Sequence, residues 1–198
     1  MSLILQGSTS GSITLQEPAV AGSTVLTLPA VTGNVLTDTS PKAGNVIQVV
    51  NARHSTYVET SSTTYADTGL SASITPSSTS NKILVIISQS ITPVGGASVG
   101  YGFQTNAGVQ LLRGATVLTA PDSDSGGKYT VGYSTGAAPS SGYLALWTMV
   151  SVNYLDSPAT TSSITYKTQF AKGTSGMGTI YANAYGGGST ITLMEIAA

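Results

Sequence analysis

The sequence predicts an all-β fold: a jelly-roll β-sandwich head over residues 46–198, preceded by a short N-terminal β-repeat segment over 1–40 and a linker over 41–45. Three observations predict it. Apolar residues come in strand-length runs between turn residues, and no segment sustains a 3.6-residue period with caps. Charged residues are 8% of the chain, against roughly 25% in an ordinary soluble domain. The polar role falls instead to 28 Ser and 29 Thr, with 23 Gly to make turns. Hydrophobic content of 40%, with β-branched residues and ten Tyr spread along the chain, can supply a core and argues against disorder.

The elements follow in order. "GSITLQEPAVAG" at 11–22 is followed by "GSTVLTLPAVTG" at 22–33, so that Pro-Ala-Val-x-Gly recurs at an offset of 11. Each unit reads as a short strand, a Pro-Ala-Val step and a Gly turn. A pair of such units buries little and needs partner surface. "TDTSPKAGN" at 37–45 reads as a spacer. In the head, "LSASIT" at 70–75 alternates, with Leu70, Ala72 and Ile74 inward. "PSSTSN" at 76–81 is a loop, and "KILVIISQSI" at 82–91 is apolar on both faces, as a central strand would be. "VQLLRGATVL" at 109–118 suggests two strands turning at Gly114. Residues 121–142 read as a long loop-like insertion, and "YLALWTMVSVNYLD" at 143–156 is again apolar on both faces. "SITYKTQF" at 163–170 alternates, and "GTIYANAY" at 178–185 and "STITLMEIA" at 189–197 complete eight to ten short strands, as a double-sheet jelly roll requires. In the last strand Ile191 and Leu193 point to one face, Met194 and Ile196 to the other, so both faces want cover.

Composition excludes several classes of function. Net charge is −1 with no basic patch, so nucleic-acid binding lacks its electrostatic footing. There is no Cys, hence neither a disulfide nor a thiolate metal site. "MSLILQGSTSG" lacks the positive n-region and long apolar stretch of a signal peptide. The longest clean apolar run, "ILVII" at 83–87, is too short to span a membrane. The chain is expected to be made in a cytoplasm, yet its Ser/Thr-rich, charge-poor surface suits an extracellular fibre.

The opening "GSTSGSITLQEPAVAGSTVLTLPAVTG" resembles a segment common in bacteriophage tail-fibre and virion proteins. The stretches "TTYADTGLSASITPSSTSNKILVIIS", "YLDSPATTSSITYKTQF" and "STITLMEIA" resemble a phage head domain, itself similar to the tumour-necrosis-factor and complement-globular-head type of jelly roll. The resemblance implies a homotrimer whose last strand lies in the sheet lining the three-fold axis, with Met194 and Ile196 at the trimer interface. It implies a structural protein of the virion surface, synthesised in the host cytoplasm: a tail-fibre or head-fibre tip contacting a host-surface glycan or protein, or, alternatively, a capsid decoration (cement) protein stabilising the head shell. Residues 1–40 would dock it to other virion proteins.

No enzyme is expected. "GYSTG" at 132–136 matches the nucleophile elbow, but Pro139 follows where a helix is needed and the single His, His54, precedes it. "DSGG" at 124–127, with His54 and Asp67 upstream, has the serine-protease chain order without its flanking motifs. Asp122, Asp124 and Gly127 begin like a calcium loop, but Gly126 and Tyr133 stand where ligands are required, so no metal site is assigned. His54 reads as a strand-edge residue and Trp147 as a core residue. No cofactor is implied. A receptor contact, if present, is expected in the 121–142 segment, with Tyr129, Tyr133, Tyr143, Asp122 and Asp124 as its residues.

Overall fold

The computed structural model describes residues 3–6, 8–15, 42–98, 102–121, 130–134, 143–173 and 178–198. The chain divides into two compact units, Met1–Leu36 and Thr37–Ala198. In the first, β1 (Leu3–Gln6) and β2 (Ser12–Leu15) form an antiparallel hairpin with Leu3 opposite Leu15 and Gln6 opposite Ser12. Gly11 takes φ +77 at the entry to β2, a conformation that suits a residue without Cβ. The predicted strand "SITL" is β2, whereas β1 precedes the repeat and has no counterpart among the predicted strands. Both Pro-Ala-Val steps and the strand "TVLTL" lie outside the described residues.

The second unit is a sandwich of two antiparallel sheets. Its strands are β3 (Val46–His54), β4 (Val58–Thr60), β5 (Ala66–Ile74), β6 (Lys82–Ser98), β7 (Gly102–Arg113), β8 (Thr116–Thr119), β9 (Val131–Ser134), β10 (Tyr143–Ala145), β11 (Thr148–Asp156), β12 (Ile164–Lys172), β13 (Ile180–Ala182) and β14 (Ser189–Ile196). One sheet runs β3-β14-β6-β11, with β13 and β10 continuing the two edges of β6 and β4 pairing β13. The other runs β5-β12-β7, with β8 and β9 sharing the far edge of β7. Successive long strands β3, β5, β6, β7, β11, β12 and β14 alternate between the sheets, and the ends of β6 and β7 pair as a hairpin that joins them, with Ala97 opposite Phe103. This is the jelly-roll order.

Strand alternation builds the core. Leu70, Ile74, Ile83, Val85, Ile87, Leu111, Tyr166, Ile191 and Leu193 pack as one cluster, each at most 2% exposed. A second cluster contains Ile91, Val109, Val150, Phe170 and Ile180. A buried polar layer lies between them in register, because Thr68, Gln89, Thr168 and Ser189 each occupy an inward position of their strand and are 0% exposed. Thr168 Oγ1 donates to Gln89 Oε1 at 2.7 Å, and Gln89 Nε2 donates to Ser189 Oγ at 2.7 Å. The Thr68 and Thr168 hydroxyls are 2.6 Å apart, and the Ser189 hydroxyl donates onward to Asn183 Oδ1 at 2.6 Å. Every member has a partner, so the layer joins β5 and β12 of one sheet to β6 and β14 of the other without an orphaned group.

Three expectations change on folding. The 121–142 segment contains a strand, β9, paired to β7; that partner is remote in sequence, so a five-residue window could not show it. The run 143–156 is broken into β10 and β11, and its outward residues are not covered within the chain. The second half of the expected spacer is a turn hydrogen-bonded to the C-terminus: Gly44 N–H donates to Ala197 O at 2.8 Å and Ala197 N–H to Asn45 O at 2.9 Å.

The strand-edge expectation for His54 acquires a reason. It ends β3, and its ring lies over Gly69 of β5, where an added Cβ would fall 2.3 Å from Nε2. Gly69 also has φ +86. Gly69→Ala is therefore expected to destabilise the head by about 2 kcal/mol or more, from clash and left-handed strain together, measured as a lowered midpoint in urea with an unchanged slope.

Candidate functional site

The apolar character of the last strand is resolved by its place in the sheet. Ile191 and Leu193 are 0% exposed against the core. Thr190, Thr192, Met194 and Ile196 project from the opposite, outer face and are half-buried. Register aligns Met194 with Val49 on one side and Leu84 on the other, and Leu84 with Leu155. Four strands thus place four aliphatic side chains in one outward row. Ile196 and Val46 extend it towards the chain end, and Ile86 towards the middle. Val46, Val49 and Leu155 are 52%, 56% and 52% exposed in the single chain. Exposed aliphatic surface of this kind makes this face a candidate for interaction. The adjacent row, Asn51, Thr192, Ile86 and Asn153, is polar apart from Ile86, and the row beyond it, Arg53, Thr190, Ser88 and Ser151, is wholly polar and bounds the patch.

Beyond that polar row the same face turns aromatic. Trp147 is 62% exposed, which overturns its assignment to the core: it falls at the break between β10 and β11 and faces outward, opposite in sense to buried Val150. Its ring meets Tyr185, itself 77% exposed, edge-to-face at 5.8 Å and 72°. Tyr185 lies in a short 3-10 turn, Ala184–Gly186, where the chain leaves the edge of β6 after β13 and returns to it as β14. Asn183 and Tyr185 both adopt the left-handed region, at φ 58 and φ 53. For a bulky side chain this is strain of order 1–3 kcal/mol. It is held by Asn183, 3% exposed, whose Oδ1 accepts from Ser189 and whose Nδ2 donates to Thr56 O at 3.1 Å. Across β6, Tyr181 stacks with Tyr57 at 5.5 Å and 30°. The Tyr57 hydroxyl donates to Glu59, and this bond holds the phenol well above its ordinary ionisation range.

Of the residues expected at a receptor contact, Tyr133 lies in β9 opposite Thr105 and is 49% exposed. Tyr143 begins β10 opposite Gly96. Both strands flank the β6–β7 hairpin, one on each side. Tyr129, Asp122 and Asp124 lie outside the described residues.

The described carboxylates are all engaged. Asp67 accepts from Lys167 and from Gln169 Nε2 at 2.8 Å, contacts that lower its pKa. Asp156, 5% exposed, accepts from Arg113 Nη1 at 2.8 and 2.9 Å and from the Tyr166 hydroxyl at 2.6 Å. Burial, reinforced by that carboxylate, raises the Tyr166 pKa. Glu195, 0% exposed, accepts at Oε1 from Ser77 N (2.7 Å), Ser77 Oγ (2.8 Å) and Asn81 Nδ2 (2.6 Å), and at Oε2 from Gln48. His54 and Ser134 end strands of opposite sheets. Among the described residues no three His, Cys, Asp or Glu side chains converge as a metal site, and no helix is long and apolar enough to cross a membrane.

Fold and surface together define a β-sandwich whose outer sheet face has an aliphatic part and an aromatic part. No protein-family model and no curated protein matches the chain.

Proposed function

We propose that this protein is a structural component of a bacteriophage virion, a homotrimeric surface head that contacts the host, and not an enzyme. The observation that carries this reading is the outward aliphatic row Val49, Met194, Leu84 and Leu155, continued by Ile196, on the sheet that contains the last strand. A sandwich face of this chemistry gains most from a second and third copy of the same chain, since closed rings repeat one interface. The engagement of each described carboxylate by its own donors supports a binding role over hydrolysis, which needs a paired acid and base. The β1–β2 hairpin supports a docking role for the first 40 residues: Ile4 and Leu5, on opposite faces, are 55% and 50% exposed, and a two-stranded sheet is marginal alone.

Two experiments test the reading. Antibody-gold electron microscopy of the particles is expected to place the protein at a fibre tip in few copies, with purified protein competing with particles for cells. Hundreds of copies spread over the shell, and no competition, would assign it to capsid decoration. For docking, a chain beginning at Lys42, which keeps the turn bonded to Ala197, should fold, trimerise and melt cooperatively, yet fail to incorporate into particles lacking the protein. Normal incorporation would remove the docking role from residues 1–40.

A further inference from the structure

We infer that the aromatic end of the outer face, Trp147 and Tyr185 with Tyr57, Tyr181 and Glu59, is a binding platform for an uncharged oligosaccharide. The inference rests on the host-contact reading for its biological role, and it adds a site and a ligand chemistry that the 121–142 segment does not include.

The first argument is geometric. Leu146 N–H donates to Pro93 O and Thr148 faces Ile91, which sets Trp147 beside Thr92 on one edge of β6. Tyr181 faces Thr92 from the other edge, and Glu59 faces Tyr181 from β4. Two aromatic side chains therefore flank one strand, roughly 10 Å apart at two strand spacings, followed in the same row by a carboxylate. That is a span for two consecutive sugar rings. The C–H groups on one face of a pyranose carry partial positive charge and pack on the negative π-face of Trp or Tyr. The edge-to-face contact of Trp147 with Tyr185 leaves a broad ring face open. Glu59 and the Tyr57 hydroxyl supply the acceptor and the polar tip that sugar hydroxyls need.

The second argument is preorganisation. A tyrosine that is 77% exposed gains little from packing, yet its backbone is held in the left-handed region by the buried Asn183–Ser189–Gln89 chain of hydrogen bonds. Strain of this kind, anchored from the core, is typical of ligand clamps. It fixes the ring before any ligand arrives, so less rotamer freedom is lost on binding. The third argument is charge. Glu59 stands in the aromatic row itself, so a sulfated or sialylated glycan would meet like charge at that end, while the Arg53 guanidinium lies against Gly188, beside the turn that carries Tyr185. The aliphatic patch and the aromatic platform are separated by that polar row, so two different partners can occupy one sheet face.

The chain has a single Trp, so its fluorescence reads the site directly. Maltohexaose, chitotetraose and lacto-N-tetraose are the neutral probes, and sialyllactose is the anionic comparison. At least one neutral probe is expected to shift the emission saturably, with sialyllactose at least tenfold weaker. Tyr185→Ala should weaken that binding at least tenfold and leave the trimer intact. Trp147→Ala, followed by calorimetry, should abolish it. Replacement of Asp122, Asp124 and Tyr133 by alanine, which keeps β9 in place, should leave it unchanged. The proposal is overturned if none of the three neutral probes alters the emission, if Trp147→Ala or Tyr185→Ala dissociates the trimer, or if only the alanine replacements at 122, 124 and 133 lose the saccharide. Saccharide binding without competition for host cells would keep the platform and remove the host-contact reading instead.

Discussion

Met194→Asp is expected to turn a trimer into a monomer, seen as a threefold drop in mass by light scattering at micromolar concentration. Met194 sits in the middle of the aliphatic row, between Val49 and Leu84, and is half-buried in the single chain. In the monomer an aspartate there keeps water on its outward side, so folding should survive with a cooperative melt. In a dry interface each copy buries an uncompensated charge, at several kcal/mol per ion. Since each 1.4 kcal/mol is about tenfold in a dissociation constant, three such charges exceed what a moderate trimer can absorb. Thr190→Asp is the control: it lies in the polar row opposite Arg53 and should leave the assembly intact. A fully trimeric Met194→Asp protein would move the interface off this face, and a monomeric wild-type protein would remove the trimer altogether.

Glu195→Ala should cost about 3 kcal/mol of head stability and flatten its acid dependence. The carboxylate is the shared acceptor of two segments: β3, through Gln48, and the β5–β6 connection, through Ser77 and Asn81. Asn81 Oδ1 in turn accepts from Ala198 N–H at 3.3 Å, so the cluster also ties down the chain end. Removing the acceptor leaves buried donors unmade, at about 1–3 kcal/mol each where water cannot enter. Glu195→Gln should also destabilise, because one of its two polar atoms would be a donor facing donors.

The pH effect follows from the same geometry. Burial raises the Glu195 pKa, but the bonds from Asn81, Gln48 and Ser77 outweigh it and hold the folded value below the ordinary 4.5. A lowered folded value means the unfolded chain binds the proton first as pH falls. The contribution is therefore complete above the unfolded value and is lost as pH drops through the folded one. Denaturant midpoints from pH 7 down to 2 should fall less in Glu195→Ala than in the wild-type protein. Asp67 shifts in the same direction, but it is exposed and screened, so the difference between the two curves isolates Glu195. Parallel curves would show that Glu195 is not the acid-sensitive group.

Much of the sandwich was legible from local pattern. Period-2 alternation in "LSASIT" assigned Leu70, Ala72 and Ile74 to the core, where each is at most 7% exposed. The turn at Gly114 lies where the glycine marked it, at φ +58. The outward placement of Met194 and Ile196 followed from the parity of the last strand. What pattern could not carry was anything set by a distant partner. β9 pairs with β7, and the polar layer needs Thr68, Gln89, Thr168 and Ser189 from four strands at one level. Hydropathy places Gln89 as an interruption in an apolar strand and says nothing of the hydroxyls that satisfy it. An apolar run on both faces predicts Trp147 in the core, but cover is a property of neighbouring strands, and among the described residues none lies over its ring.

The all-β character, the inward face of each clear strand and the apolarity of both faces of the last one are readable from residue order alone, because they depend on residue type and a two-residue period. Which strands become neighbours is set only by folding, and with it the aliphatic row, the carboxylate that β3 and the β5–β6 connection share, and the aromatic platform. These are sums over strands far apart in the chain, and register, which no single strand contains, sets them.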